Sequence, residues 1–146
     1  MSRYPAEMSR ECAFCDIIAG RAPAQIIFEE PEVIAFLDRR PVFAGHTLVV
    51  PRAHHVTFGD LPPPLMPKVL EVAQRVSRVI PDALGAQGTF VAMNNIVSQS
   101  VPHLHVHVVP RTKGDGLRGF FWPRRPYENA DEMEHYAQRL RGSLER

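Results

Sequence analysis

The chain has 146 residues and a formal net charge of +1, and its 45% hydrophobic and 23% charged residues are typical of one folded domain. This near-neutral charge excludes a general electrostatic attraction to nucleic acid or to membrane surfaces. Because no apolar run approaches the roughly 20 residues that span a bilayer, and residues 1–11 lack the apolar core of a secretion signal, we expect a cytoplasmic protein that binds neither nucleic acid nor a membrane.

The hydrophobic pattern predicts an α+β fold. Residues 1–11 show no periodicity and are predicted to be a flexible N-terminal arm, whereas residues 12–146 are predicted to form a single domain that ends in a C-terminal loop and helix. Apolar residues recur at helical spacing over residues 69–80 and 133–144, which predicts two main helices. Alternating or β-prone segments predict an antiparallel five-stranded sheet, with strands over residues 25–29, 33–38, 47–50, 89–94 and 101–109.

Cys12 and Cys15 are the only cysteines in the sequence. Two are too few for a disulfide framework, and C-x-x-C spacing in a cytoplasmic chain indicates metal binding or redox chemistry. The apolar stretch over residues 12–19, followed by Gly20, predicts a helical turn with a glycine cap. Two ligands cannot complete a zinc site, so other ligands would have to come from elsewhere in the chain.

His103, His105 and His107 alternate with aliphatic residues and form the most informative pattern in the sequence. On a strand they would project from one face, with the aliphatic residues turned to the core. Two interpretations are open at this point: the imidazoles bind a catalytic zinc ion, or one neutral imidazole attacks phosphorus while its neighbours position the phosphate. The polar turn over residues 98–100 favours the second, because its N–H and hydroxyl groups can cradle phosphate oxygens.

The His-φ-His-φ-His-φ-φ pattern, in which φ is apolar, resembles the motif of the histidine-triad (HIT) superfamily of nucleotide hydrolases and transferases. The N-terminal C-x-x-C is similar to that of many bacterial members, and the resemblance implies a single HIT-like domain. The triad in this context is a specific signal, whereas the C-x-x-C alone is a weak one. The matching segments are residues 12–15, 27–29, 35–38, 45–51, 54, 99–102, the triad itself, and 110–111.

This resemblance implies cleavage at the α-phosphate of a purine nucleotide conjugate, either a phosphoramidate, an adenylate or a dinucleoside polyphosphate. His105 would be the nucleophile, giving a covalent nucleotidyl-histidine that water hydrolyses to release the nucleoside monophosphate. His107 would contact the phosphate and assist the leaving group, and Ser100 would relay a proton. The other nucleotide-binding residues implied are Ile27, Phe28 and Phe36 at the base, Asp38 at the ribose, His46 in the pocket, Gln99 at the phosphate or leaving group, and Asn95, with Asn94 as its alternative.

The resemblance also implies a structural zinc site formed by Cys12, Cys15, His54 and His103, with His55 as the alternative to His54. A closed site of this kind would anchor the N-terminal turn to the sheet, and no catalytic metal would be required. A homodimer is implied as well. The aromatic and basic segment over residues 113–125 is a candidate for contacting the leaving group or a partner subunit's site.

Two other functions stay open from the sequence alone. A zinc-dependent hydrolase would use the triad as metal ligands, and chelation would abolish its activity. A non-catalytic nucleotide sensor would have the same pocket without turnover, although binding alone does not need the nucleophile His105. The first function predicts metal-dependent activity, and the second predicts binding without product release.

Overall fold

The computed structural model describes residues 11–117 and 124–145. Its chain divides into two units, Met1–Asp115 and Gly116–Arg146, and each is described here by itself. The predicted arm over residues 1–11 lies outside the described residues except for its last residue, and so do residues 118–123 of the 113–125 segment.

The described part of the first unit contains a five-stranded sheet, two α-helices and two short 3₁₀ turns. The helices are α1 (Ala13–Ile18) and α2 (Met66–Leu84), and the 3₁₀ turns are Phe58–Asp60 and Pro63–Leu65. All neighbouring strands are antiparallel, in the order β1-β2-β3-β5-β4, which confirms the predicted α+β class and antiparallel sheet. The strands are β1 (Ile26–Glu29), β2 (Val33–Leu37), β3 (Thr47–Pro51), β4 (Gly88–Ala92) and β5 (Val106–Arg111).

One face of the sheet packs against α2 and forms the larger core. The buried residues of this helix recur at helical spacing and are Val69, Val72, Ala73, Val76 and Ile80. They pack with alternate residues of three strands, which are Val33, Ala35, Val49, Val106 and Val108. The helix is longer than predicted at both ends: it begins at Met66, and it ends at Leu84, before Gly85, which adopts the left-handed conformation with φ 73°.

The opposite face of the same strands carries a second core beneath α1. Its strand residues are Ile34, Phe36, Leu48 and Val50, and its residues from the N-terminal segment are Cys12, Phe14 and Cys15. Since both faces are covered, four of the five residues of β2 and all five of β3 are buried. The N-terminal C-x-x-C is therefore attached directly to the sheet.

The sequence pattern predicted that the whole histidine triad lies on a strand, but only part of it does. β5 begins only at Val106, so His103 and His105 precede it. The segment before the strand is held by single backbone bonds, including one from the Leu104 N–H to the carbonyl of His55 at 2.7 Å. The predicted inward side of the alternation is confirmed, since Leu104, Val106 and Val108 all belong to the core under α2.

The second unit contains α3 (Ala130–Leu144), which corresponds to the predicted C-terminal helix. Asn129 caps it, because its side-chain oxygen accepts a hydrogen bond from the Glu132 N–H at 2.9 Å. None of the residues of α3 is buried. Within the described ranges, no helix combines the length and apolar character needed to cross a membrane.

Candidate active site and metal centre

The three triad histidines occupy three different environments. His103 lies among cysteines, His105 bonds to the backbone of His103, and His107 bonds to His46. Their side chains share the α1 side of the sheet: His105 contacts Phe14, and His107 lies opposite Leu48 in the β3–β5 pairing. Among the described residues, no group of potential metal ligands contains more than one member of the triad.

Four side chains form a cluster that we call the Cys/His cluster: Cys12, Cys15, His54 and His103. The Nδ1 atom of His103 lies 3.4 Å from Cys12 Sγ and 3.6 Å from Cys15 Sγ, and His54 Nδ1 lies 3.3 Å from Cys15 Sγ. Tetrahedral zinc with thiolate and imidazole ligands requires sulfur-to-nitrogen separations of about 3.5 Å. The ligand atoms therefore fit a closed Cys₂His₂ zinc site.

The orientation of the ligand atoms is fixed by the surrounding backbone. His103 Nε2–H donates to the carbonyl of Pro51 at 2.8 Å, which leaves the Nδ1 lone pair facing the thiols. Burial lowers the pKa of His103 to about 4, so the ring is neutral, as a metal ligand must be. The Cys15 N–H donates to Cys12 Sγ at 3.3 Å, so the backbone of α1 also orients this sulfur.

The structure distinguishes between the two adjacent histidines that the sequence left open. His54 belongs to the Cys/His cluster, and its ring packs edge-on against that of His103, with centroids 4.9 Å apart. The carbonyl of His55 instead accepts the hydrogen bond from Leu104. The geometry thus supports His54 as the fourth ligand.

His105 has one nitrogen free for chemistry. Its Nδ1–H donates to the carbonyl of His103 at 2.8 Å, so the lone pair is on Nε2. The ring is buried, with 3% of its surface exposed, and burial lowers the pKa of this imidazole below 6.5. A neutral imidazole with an uncommitted Nε2 lone pair is the form needed for nucleophilic attack.

His46 and His107 form a hydrogen-bond chain that starts at the backbone. The Val42 N–H donates to His46 Nδ1 at 3.0 Å, so the proton of this ring is on Nε2. That Nε2–H then donates to His107 Nδ1, also at 3.0 Å, which puts the proton of His107 on its own Nε2. His107 Nε2 is buried and has no hydrogen-bond partner within the described part of the chain. It is a donor available to a ligand oxygen.

Asp38 follows β2 and lies beside this chain. Its Oδ1 accepts the Arg40 N–H at 2.9 Å, and its Oδ2 lies 3.7 Å from His46 Nδ1. The second contact is not a hydrogen bond, because the lone pair of that nitrogen is already used by Val42. The carboxylate raises the pKa of His46, but burial lowers it by more, so His46 stays neutral.

The predicted phosphate loop is held in a strained conformation. Ile96 and Ser98 have positive φ angles of 71° and 64°, which a β-branched residue such as Ile rarely adopts. Both amide atoms of Gln99 hold this loop: Oε1 accepts the Ile96 N–H at 2.9 Å, and Nε2–H donates to the Val56 carbonyl at 2.6 Å. Asn95 Oδ1 accepts the Phe58 N–H at 2.7 Å. Ser100 is exposed.

The three residues predicted to surround a base do not lie on one surface. Ile27 is 49% exposed and Phe36 is buried on the α1 side of the sheet. Phe28 instead packs against the core under α2, where the guanidinium of Arg75 lies 4.7 Å from its ring centroid. A bulge in β1 is the physical reason, because Ile26 pairs with Phe36 while Phe28 pairs with its neighbour.

Phe14 is a residue of the site to which the sequence analysis gave no role. It lies between the two cysteines, and its ring contacts those of His105 and His103, with centroids 4.9 and 5.9 Å away. The only sequence signal was an aromatic residue inside the C-x-x-C. Its contact with residues about 90 positions later depends on how α1 packs on the sheet.

Comparisons with known proteins give the family of this chain. The HIT domain family model matches residues 19–114. An uncharacterised HIT-like protein of Mycobacterium tuberculosis is 40% identical over 124 residues, which cover 82% of this chain and 86% of that protein. An adenosine 5′-monophosphoramidase of Schizosaccharomyces pombe is 32% identical over 117 residues, which cover 79% and 85%. The crystal structure of a Zn-bound histidine triad family protein from Mycobacterium smegmatis is 36% identical with a TM-score of 0.70, and the match covers 90% of this chain and 96% of that one.

The chain belongs to the HIT family. This family includes nucleotide-binding proteins and hydrolases, which is the general class that the fold and the neutral histidines also support. The residues of the Cys/His cluster are suited to zinc, and a zinc-bound relative is known.

Proposed function

We propose that the protein is a nucleotidyl hydrolase or transferase that cleaves a purine nucleotide conjugate at its α-phosphate through a covalent bond to His105. The observation that carries this proposal is the hydrogen bond from His105 Nδ1–H to the carbonyl of His103, which directs an unprotonated Nε2 away from the backbone. A site that only binds nucleotide has no need for an imidazole fixed in this tautomer.

In the first step, the Nε2 lone pair of His105 attacks the α-phosphorus, a P–N bond forms, and the bond to the leaving group breaks. His107 Nε2–H donates to a phosphate oxygen and stabilises the charge that develops there. The leaving group takes a proton that the exposed Ser100 hydroxyl relays from solvent. In the second step, water attacks the same phosphorus and loses its proton to solvent through the same relay, the P–N bond breaks, and the nucleoside monophosphate leaves.

The nucleoside is proposed to bind beside the triad. Asp38, whose side chain is 24% exposed, accepts hydrogen bonds from the ribose hydroxyls through Oδ2. Ile27 and Phe36 provide apolar surface for a purine, whereas Phe28 is omitted because it faces α2. Asn95 and Gln99 contribute by holding the phosphate loop, since their side chains bond to the backbone.

Cys12, Cys15, His54 and His103 would hold a structural zinc ion. A closed tetrahedral site of this kind supplies folding stability and leaves no open position for substrate. A catalytic zinc bound by all three triad histidines is not favoured, because one nitrogen of each ring is held by a different partner and, among the described residues, no group of potential metal ligands contains two of the three. His103 is accordingly assigned to the Cys/His cluster and not to the reaction.

The test is the release of AMP from adenosine 5′-phosphoramidate by the wild type, by His105→Ala and by His135→Ala, a control for a histidine that the proposal does not use. The buffer contains a chelator too mild to remove the cluster metal. We expect turnover by the wild type and the control, and a loss of at least about 1,000-fold in His105→Ala. Alkaline denaturation during turnover should trap labelled nucleotide on the wild type and on His135→Ala but not on His105→Ala, because a P–N bond to histidine survives in alkali and hydrolyses in acid.

Two outcomes would overturn the proposal. Nucleotide binding without any product release would make the protein a sensor. Activity that appears only on addition of zinc would favour a metal-dependent hydrolase instead.

A further inference from the structure

The ring of Phe14 is in direct contact with the proposed nucleophile. Its centroid lies 4.9 Å from that of His105, with an interplanar angle of 86°, and it also packs against Phe36 at 5.4 Å. Only 7% of the Phe14 surface is exposed. The contact is therefore part of a packed interior, where a change in shape is transmitted to the neighbouring ring.

The hydrogen bond of His105 determines which nitrogen carries the proton, but it leaves the plane of the imidazole free to tilt about that bond. Two aromatic rings restrict this tilt: Phe14 and His107, each with its centroid 4.9 Å from that of His105. Attack on phosphorus requires the Nε2 lone pair to point along the axis of the breaking bond, so a tilted ring reacts more slowly.

The position of Phe14 depends in turn on the Cys/His cluster. The helix that carries it, α1, has only six residues, too few to be stable without tertiary contacts. Cys12 and Cys15 flank Phe14 in the chain, and both thiols belong to the cluster. The ligands thus hold the backbone on both sides of this side chain.

We infer that Phe14 is a positioning residue for His105, and that the Cys/His cluster orients the nucleophile through it. The inference rests on the proposed function, and it gives the cluster a role in the reaction that is additional to fold stability. It concerns the rate of attack on phosphorus and leaves nucleotide affinity to other residues.

The test compares Phe14→Leu, which keeps an apolar side chain but removes the ring, with Ile18→Ala, which removes apolar surface from the same helix and core. Five quantities are measured on the metal-loaded protein: kcat and KM with adenosine 5′-phosphoramidate, zinc content, Tm, and the two-bond ¹H–¹⁵N spectrum of the His105 ring. This spectrum reports the tautomer and its exchange without any turnover.

For Phe14→Leu we expect kcat to fall about 10- to 100-fold, KM to change less than about threefold, and zinc content to stay unchanged. The ¹⁵N signals of the His105 ring should keep the pattern of one tautomer, because the bond to the His103 carbonyl remains, but they should shift and broaden as the ring samples several tilts. Ile18→Ala should also lower Tm, because it removes apolar contacts from the same core, yet keep kcat within about threefold of the wild type. A loss of kcat in only one of two destabilised variants distinguishes positioning from loss of stability.

The inference is wrong if Phe14→Leu loses no more kcat than Ile18→Ala, if its His105 spectrum matches that of the wild type, or if its zinc content falls together with kcat. Failure of the proposed function would look different, because the wild type itself would then form no nucleotidyl-His105. The His105 spectrum decides the positioning role in that case too.

Discussion

The backbone N–H of Val42 determines which nitrogen of His46 carries its proton, and His46 does the same for His107. The direction of both hydrogen bonds follows, since a nitrogen that accepts from a backbone amide cannot itself hold a proton. The donor at His107 Nε2 thus depends on a residue that need not touch the substrate. We therefore regard His46 as a positioning residue.

Replacing His46 with Leu should lower kcat by about 10- to 100-fold, because His107 then exchanges between tautomers and no longer presents a fixed donor. His46→Gln keeps an N–H donor near the position of Nε2 and should recover part of the loss. Steady-state kinetics with adenosine 5′-phosphoramidate checks this. Equal activity in the two variants would contradict the role of the donor.

The titration of His107 gives a prediction about stability. Burial, followed by the charges of His105 and His46, lowers the pKa of His107 from 6.5 to about 4. Between these pH values the unfolded chain binds a proton at this residue that the folded chain does not bind, so the free energy of unfolding falls as the pH is lowered. Above pH 6.5 the ring is neutral in both the folded and the unfolded chain, so the contribution of His107 no longer makes the free energy of unfolding depend on pH.

His107→Asn removes that contribution, so its free energy of unfolding should fall less steeply than that of the wild type between pH 6.5 and about 4. Denaturant titrations of both proteins across this range measure the difference. Other titrating groups cancel in the comparison, provided that the zinc contents are equal. Parallel curves would show that the ring is not held neutral.

At the scale of secondary-structure elements, α1 is the part of the fold that depends most on the metal site. Its six residues cannot form a stable helix alone, and the two thiols tie it to His54 and His103. A zinc ion held by these four residues would bind the folded chain more tightly than the unfolded one, so we expect its removal to lower the Tm. A strong chelator should produce this change, and added zinc should reverse it.

The adjacent histidines provide a matched pair of variants for this site. His54→Ala should lose its zinc to a chelator that the wild type resists, because one of four ligand atoms is missing. His55→Ala should retain about one zinc ion per chain, since the bond from Leu104 is to the backbone carbonyl of residue 55, which the variant keeps. Metal analysis after dialysis distinguishes them, and similar losses from both variants would contradict the assignment.

The main elements were predictable because their burial follows simple periods, as α2 and the inward residues of β5 show. The start of β5 was not predictable, because residues 103–105 keep the alternating pattern of a strand but do not belong to β5, which begins at Val106. The side of the sheet on which Phe28 packs was not predictable for a related reason: the register of β1 against β2 shifts between Ile26 and Phe28, and nothing in the local sequence marks this bulge.

The residues of the Cys/His cluster and the triad histidines could be singled out from the family motif, but the contacts that orient their rings could not. These contacts use backbone groups, which are the carbonyls of Pro51 and His103 and the N–H of Val42. Since almost every residue has the same backbone groups, no sequence pattern can identify the ones that are used. They become specific only when the sheet brings together segments that are far apart in the chain.

At the scale of the whole molecule, α3 has an apolar stripe without a buried counterpart among the described residues. The side chains of the stripe are exposed by 47–83%, and they are Met133, Tyr136, Leu140 and Leu144. A 15-residue amphipathic helix is only marginally stable by itself, so this stripe requires a covering surface. The strand β4 also lies at the edge of the sheet, with Val91 48% exposed.

We expect a second copy of the chain to cover this stripe, which makes the protein a homodimer. Leu140→Glu places a charge in the stripe and should shift the mass measured by light scattering toward the 16.5 kDa of one chain. Gln138→Glu introduces the same charge on the opposite side of α3 and should leave the dimer intact. A wild type that is monomeric at micromolar concentration, or a Leu140→Glu variant that stays dimeric, would contradict this role, because burying an unpaired carboxylate is too costly for a stable apolar interface.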